Sequence, residues 1–131
     1  MYRSLKKDPQ LVPVIRCLAR LWAAALFLFW GAFFVEHTAD WFLHLRKLPP
    51  MDVGLLHFAH FALLLGLAAG WRWELLGGVT TLAAAMVFFP QVSGKNAVIF
   101  LLVSIVPAVV WIGLGGYSIG SRLLASSGSA G

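Results

Sequence analysis

All four histidines and three of the five acidic residues lie within residues 36–60, and these side chains are the ones best suited to chemistry. Imidazole and carboxylate groups together bind Zn²⁺, copper or iron, and pairs spaced three residues apart on facing bundle helices can build such a site. A transition-metal site is therefore one interpretation of the pattern. Its candidate ligands are His37, Asp40, His57 and His60, with Glu36 and His44 at the edge of the cluster.

The same side chains fit three other interpretations. One is a haem held between His37 and His60, and another is a proton-accepting cluster, because histidine titrates near neutral pH. The third is structural: hydrogen bonds between histidines and carboxylates hold two helices together near a membrane interface. The spacing lacks the H-E-x-x-H pattern of a strong metal motif, so the sequence leaves all four interpretations open.

Long apolar runs on either side of this stretch are the elements that must position the cluster. They are long enough to cross a bilayer, and Pro49-Pro50, the turn W-R-W-E and a polar loop interrupt them. The predicted fold is all-α, a four-helix transmembrane bundle in a single membrane domain, residues 1–131. The predicted helices span about residues 17–44, 53–71, 74–89 and 97–117, with a flexible tail at 121–131.

The composition points to the same class. Of the 131 residues, 60% are hydrophobic and 11% are charged, whereas about a quarter of the residues in a soluble domain are charged. The net charge of +5 is spread between apolar runs without a basic block, so we expect contact with anionic lipid and no nucleic-acid partner. The single cysteine excludes an internal disulfide bond.

The distribution of lysine and arginine predicts the orientation, because these residues concentrate in cytoplasmic segments. With the N-terminus inside, the cytoplasmic ones are Arg3, Lys6, Lys7, Arg16, Arg20, Arg72 and Arg122, and the outer ones are Arg46, Lys47 and Lys95. This favours both termini inside (N-in/C-in), with the polar cluster on the extracytoplasmic side. Arg16 and Arg20 share one helix face, and we expect both to reach lipid head groups.

The first two helices are expected to form an antiparallel hairpin across the Pro49-Pro50 turn. With His44 level with Val53, His37 lies opposite His60, and the neighbouring polar pair is Asp40 with His57. Asp52 is expected to cap the second helix with its carboxylate.

Three further local features have predicted roles. Pro107 leaves a carbonyl without its helical partner, and Ser104 is placed to bond to it. Trp22 is expected at a membrane interface. Close packing on a neighbouring helix is expected for the small face formed by Gly77, Gly78 and Thr81.

Three short motifs stand out along the chain: R-L-W at residues 20–22, F-F-V-E-H at 33–37 and G-W-R-W-E-L-L-G-G at 70–78. In these the chain resembles an uncharacterised family of small bacterial four-helix integral membrane proteins, and the resemblance covers most of residues 16–117. It implies a multi-pass protein of the bacterial cytoplasmic membrane and implies no activity.

Two classes of function fit these observations. The short loops and the lack of a catalytic triad or phosphate-binding loop favour a non-catalytic accessory or assembly subunit, packed against a larger membrane complex or another copy of itself, over an enzyme. The alternative is a metal- or haem-binding redox or small-solute membrane protein that uses the histidine cluster on the extracytoplasmic side.

Overall fold

The computed structural model describes residues 10–43 and 50–127, without the side chains of residues 41, 42, 124, 125 and 127. This part of the chain forms four α-helices: α1 (Leu11–Leu43), α2 (Met51–Ala69), α3 (Glu74–Val92) and α4 (Ala97–Ser127). Each is long and apolar enough to cross a membrane. The predicted all-helical fold is confirmed, and these helices indicate a multi-pass membrane protein.

Two helices are longer than the sequence predicts. α1 begins at Leu11, because Pro13 lies in the first turn, where the missing N–H of a proline has no helical partner to lose. α4 continues to Ser127 rather than ending near Tyr117. Residues 121–127 of the predicted flexible tail are therefore helical.

The turns also differ from the predicted ones. α3 continues through Pro90 to Val92, because a proline in the last turn removes only one helical hydrogen bond. The chain then reverses at Gly94, whose φ of 50° is in the left-handed region that favours glycine. Asp52 does not cap α2: it lies in the first turn, and the capping position is held by Pro50 without a side-chain hydrogen bond.

The helices form a bundle in which α3 packs on α2 and α4, and α1 packs on α2 and α4. One stripe of α1 is buried, with the spacing of a single helix face: Ala19, Ala23, Leu26 and Trp30. Other faces of α1 expose large apolar side chains such as Leu18, Leu28 and Val35. Such surfaces suit contact with lipid tails.

The two ends of the bundle differ in chemistry. The start of α1, the α2–α3 turn and the last part of α4 meet at one end, called the arginine end below, which carries Arg16, Arg20, Arg72 and Arg122. The opposite end, called the histidine end, carries His37, His57 and His60.

Near the arginine end the helices approach each other backbone to backbone. A Cβ atom on Gly77 would overlap the backbone of Gly70 and lie 2.8 Å from the Gly66 carbonyl oxygen. On Gly78 it would lie 2.8 Å from the carbonyl oxygen of Ala108 in α4. Both glycines and Thr81 are buried, which confirms the predicted packing face.

Candidate functional site

A cavity of about 510 Å³ lies among all four helices at the histidine end. Aromatic rings form much of its wall, chiefly those of Trp30, Phe33, Phe88 and Phe100. Its polar groups come from His37, His57, His60 and Ser93. The cavity is therefore an apolar, ring-lined space with a few polar groups, which is the usual character of a small-molecule site.

His60 is the buried polar group of this cavity, with 5% of its surface exposed. Its Nε2 lies 3.0 Å from the carbonyl oxygen of Trp30, and a carbonyl only accepts, so Nε2 carries the hydrogen and donates. In the neutral ring Nδ1 then has a lone pair. No described residue forms a hydrogen bond to that nitrogen. The ring packs on Phe88, with 4.5 Å between centroids, so its position is fixed from two helices.

Trp30 is the aromatic centre of the histidine end. It is 8% exposed, and its Nε1 donates to the Ser104 hydroxyl of α4 at 3.1 Å. Its ring lies within 6.4 Å, centroid to centroid, of rings from all the other helices, including His60, Phe89 and Phe100. These ring contacts join α1 to the other helices beside the cavity.

His57 links α2 to α1 nearer the start of α2. The Thr38 hydroxyl donates to the Phe34 carbonyl at 2.6 Å, so its oxygen is left to accept from His57 Nε2 at 2.9 Å. The His57 ring also stacks on Phe34, with 4.5 Å between the centroids. The hydrogen bond to Thr38 and the ring contact with Phe34 both join His57 to α1.

The remaining predicted cluster residues lie on the outer part of α1. His37 is exposed, and its Nδ1 donates to the Phe33 carbonyl of its own helix at 2.8 Å. Glu36 and Asp40 are also exposed. His44 lies outside the described residues.

The register of the hairpin differs from the predicted one. The hydrogen bonds described across it join His60 to Trp30 and His57 to Thr38. His60 therefore lies beside Trp30, closer to the middle of α1 than the predicted position opposite His37. In residues 10–43 and 50–127, no three His, Cys, Asp or Glu side chains lie close enough to hold a metal ion. Because His44 is outside these ranges, the metal site stays a prediction.

Glu74 is the acidic partner of the arginines at the arginine end. This pairing was not predicted from the sequence. The Glu74 side chain is only 12% exposed and forms an ion pair with Arg16, whose Nη2 donates to Glu74 Oε2 at 3.1 Å. Arg20 lies 3.8 Å from Glu74 Oε1 and donates to the Trp71 carbonyl at 2.9 Å. Two arginines on one face of α1 and a single acid in W-R-W-E were the signal that could have revealed the pairing.

The carbonyl freed by Pro107 belongs to Val103, four residues earlier. Trp22 Nε1 donates to that oxygen at 3.0 Å, so the partner is a tryptophan of α1 and not Ser104, which accepts from Trp30. The prediction for Ser104 as that partner is wrong, because it used local sequence alone, whereas the observed bond joins two helices that are distant in sequence. The interfacial position of Trp22 stays a prediction.

Comparison with known proteins gives a family and no activity. The sequence model of one family, described as "Domain of unknown function (DUF7670)", matches residues 7–116. No curated protein and no solved structure matches the chain. The result agrees with the uncharacterised family expected from the three motifs.

Proposed function

We propose, from the premise that the chain belongs to this family of unknown function, that it binds a small planar molecule in the cavity at the histidine end. The supporting observation is the cavity itself: about 510 Å³ among four helices, within the range of roughly 300–1,000 Å³ typical of ligand pockets. Its few polar groups lie among aromatic rings. That combination orients a ligand through a small number of hydrogen bonds.

The walls of the cavity indicate the class of ligand. Flat rings such as Trp30 and Phe88 favour an aromatic molecule that stacks or meets them edge-on. The lone pair of His60 Nδ1 favours a ligand that donates an O–H or N–H group. The proposed ligand is therefore a phenol or hydroquinone, bound as a neutral molecule.

Naphthol and its methyl ether form a matched pair of probes, because they share the ring system and differ in the hydroxyl hydrogen. Equilibrium dialysis of each against protein-loaded and empty detergent micelles separates binding from micelle partitioning. The hydroxyl should favour naphthol by about tenfold, or about 1.4 kcal/mol, which is the worth of one hydrogen bond to a buried acceptor.

Two variants locate the binding. His60→Phe should abolish the preference for naphthol, and Trp73→Phe, at the arginine end, should leave it unchanged. Equal binding of naphthol and its ether by the wild-type protein would contradict the assigned role of His60. Failure of both probes to bind would overturn the proposal.

A metal ion or haem is the alternative occupant, as the histidine pattern suggested. Elemental analysis and a visible absorption spectrum of the purified protein test it. Stoichiometric zinc, copper, iron or haem that is lost in both His37→Ala and His60→Ala would replace the phenol proposal with a metal- or haem-binding redox role.

We further propose that the protein lies in a bacterial cytoplasmic membrane with both termini inside. The four arginines at one end of the bundle support this, since Lys and Arg are retained on the cytoplasmic side. In a Cys17→Ser background, a membrane-impermeant thiol reagent should label Ser93→Cys in intact cells and spare Ser126→Cys. The reverse pattern would invert the orientation and place the cavity on the cytoplasmic side.

The role of accessory or assembly subunit is a second proposal. Short connections support it: within the described residues, α2 joins α3 through Gly70–Trp73 and α3 joins α4 through Ser93–Asn96. Such a chain presents mainly its helical faces to a larger complex or another copy of itself. Chemical crosslinking in native membranes, followed by mass measurement, should give a species heavier than the monomer, and monomer alone would contradict the role.

A further inference from the structure

A groove of about 740 Å³ lies at the arginine end, opposite the cavity. It is bounded by the start of α1, by the α2–α3 turn and by α4. Its charged side chains are Arg16, Arg20, Arg72, Glu74 and Arg122. One carboxylate against four guanidinium groups leaves a surplus of three positive charges facing the groove.

The contacts within the groove leave donors available. Glu74 is engaged by Arg16 and lies near Arg20. Arg72 and Arg122 form no ion pair with the described residues, so their guanidinium donors are available to a ligand. Guanidinium groups in this state favour an anion with several acceptor oxygens.

We propose that this groove binds the phosphate group of an anionic phospholipid. Guanidinium forks match phosphate oxygens two at a time, and basic pockets between helices at a membrane surface bind anionic head groups. The groove also has apolar walls, where Leu76 and Ile119 are 58% and 49% exposed. These walls can contact the acyl chains of a bound lipid, which a free phosphate ion does not have.

The groove also includes an intrinsic reporter, Trp73, which lines it and is 59% exposed. A brominated lipid bound there should quench its fluorescence, and the quenching that is lost in Trp73→Phe separates this signal from that of the other five tryptophans. The purified full chain in detergent micelles is mixed with brominated phosphatidylglycerol, which is then displaced by unlabelled phosphatidylglycerol, phosphatidylcholine or inorganic phosphate. Quenching should saturate, and phosphatidylglycerol should displace the probe at least tenfold better than phosphatidylcholine.

The variants are chosen to spare the ion pair of Glu74. Arg72→Gln and Arg122→Gln should each weaken phosphatidylglycerol binding by about fivefold, the value expected for one basic residue at an anionic surface. The matched control is Lys95→Gln, which removes the same charge from an exposed position at the histidine end. That variant should stay within twofold of the wild type.

The competition arms decide the source of the phosphate group. Displacement by phosphatidylglycerol with no effect of millimolar inorganic phosphate supports a lipid site. Full displacement by inorganic phosphate overturns the lipid assignment and makes the groove a site for a soluble phosphorylated molecule. Quenching that does not saturate, or that both arginine variants leave unchanged, overturns the site itself.

Discussion

The arginine end and the histidine end are built from the same four helices but close in different ways. At the arginine end, Gly70 and Gly77 let backbones touch, so the charges of Arg16 and Glu74 lie outside this contact. At the histidine end the contacts are between rings such as Trp30 and Phe89, and a cavity remains. Open space lies in a groove beside the glycine contact at one end and among aromatic rings at the other.

The polar groups follow the same division. At the arginine end a charge is satisfied by an opposite charge, as in the pair of Glu74 with Arg16. At the histidine end the Nε2 atoms of His60 and His57 bond to neutral oxygens, those of Trp30 and Thr38. A surplus of charge attracts anions, and a neutral acceptor among rings attracts a neutral donor. The two proposed ligands differ for this reason.

The largest expected effect tests the backbone contact at the arginine end. Gly77→Ala should lower the free energy of unfolding by about 3 kcal/mol, because the new methyl group collides with backbone atoms that no rotamer change can move. Gly31→Ala is the matched control, since a Cβ there meets nothing within 4 Å. It should raise stability by about 0.5 kcal/mol through helix propensity. Unfolding in mixed dodecyl sulfate and maltoside micelles, followed by circular dichroism, measures both, and equal effects would contradict the proposed difference.

The features that the sequence predicted are those that depend on short stretches of chain. Four apolar runs of sufficient length predict four helices, and adjacent Gly77 and Gly78 predict a packing face whichever helix is opposite. Of the candidate cluster residues, His60 lies inside the bundle, whereas His37 and Asp40 are exposed, so the clustering of these residue types in one short stretch does not predict which of them face a neighbouring helix.

What the sequence did not reveal depends on how helices rotate and slide against each other. Arg16 and Glu74 are 58 positions apart, and Trp22 and Val103 are 81 apart. The depth of His60 relative to α1 depends on the length of the turn between α1 and α2, and a small error there moves every cross-hairpin pair. The cavity depends on ring shapes from all four helices, which periodicity does not specify.

The second-largest effect concerns the partly buried carboxylate of Glu74. Glu74→Gln should lower the free energy of unfolding by about 2 kcal/mol, because two arginines lose the carboxylate that pairs with them among the described residues. Their partial exposure keeps the loss below that of a fully buried pair. Asp52→Asn makes the same chemical change in the exposed first turn of α2 at the histidine end. It should cost about 0.3 kcal/mol through the helix dipole. If Glu74→Gln and Asp52→Asn lowered the free energy of unfolding by similar amounts, the ion pair of Glu74 would contribute no extra stability at the arginine end.

A third effect tests the hydrogen bond from Trp22 in α1 to the Val103 carbonyl in α4, which Pro107 leaves without a helical donor. Trp22→Phe should lower stability by about 1 kcal/mol, because the Val103 carbonyl loses its donor. In a Pro107→Ala background the restored N–H bonds to that carbonyl, so the same substitution should cost about half as much. A double-mutant cycle measured by unfolding gives the coupling. Strictly additive effects would show that Trp22 stabilises the bundle by ring packing alone.

The smallest effect isolates one neutral hydrogen bond at the histidine end. Thr38→Val keeps the shape of the side chain and removes the oxygen that accepts from His57, so stability should fall by about 0.5 kcal/mol. Thr80→Val in α3 is the isosteric control, and it should change stability by less than that. Thr38 does not line the cavity, whereas His57 does. Naphthol binding should therefore change by less than about twofold in Thr38→Val. A larger loss of binding would mean that the orientation of His57, and not His60 alone, determines how the cavity selects a hydroxyl group.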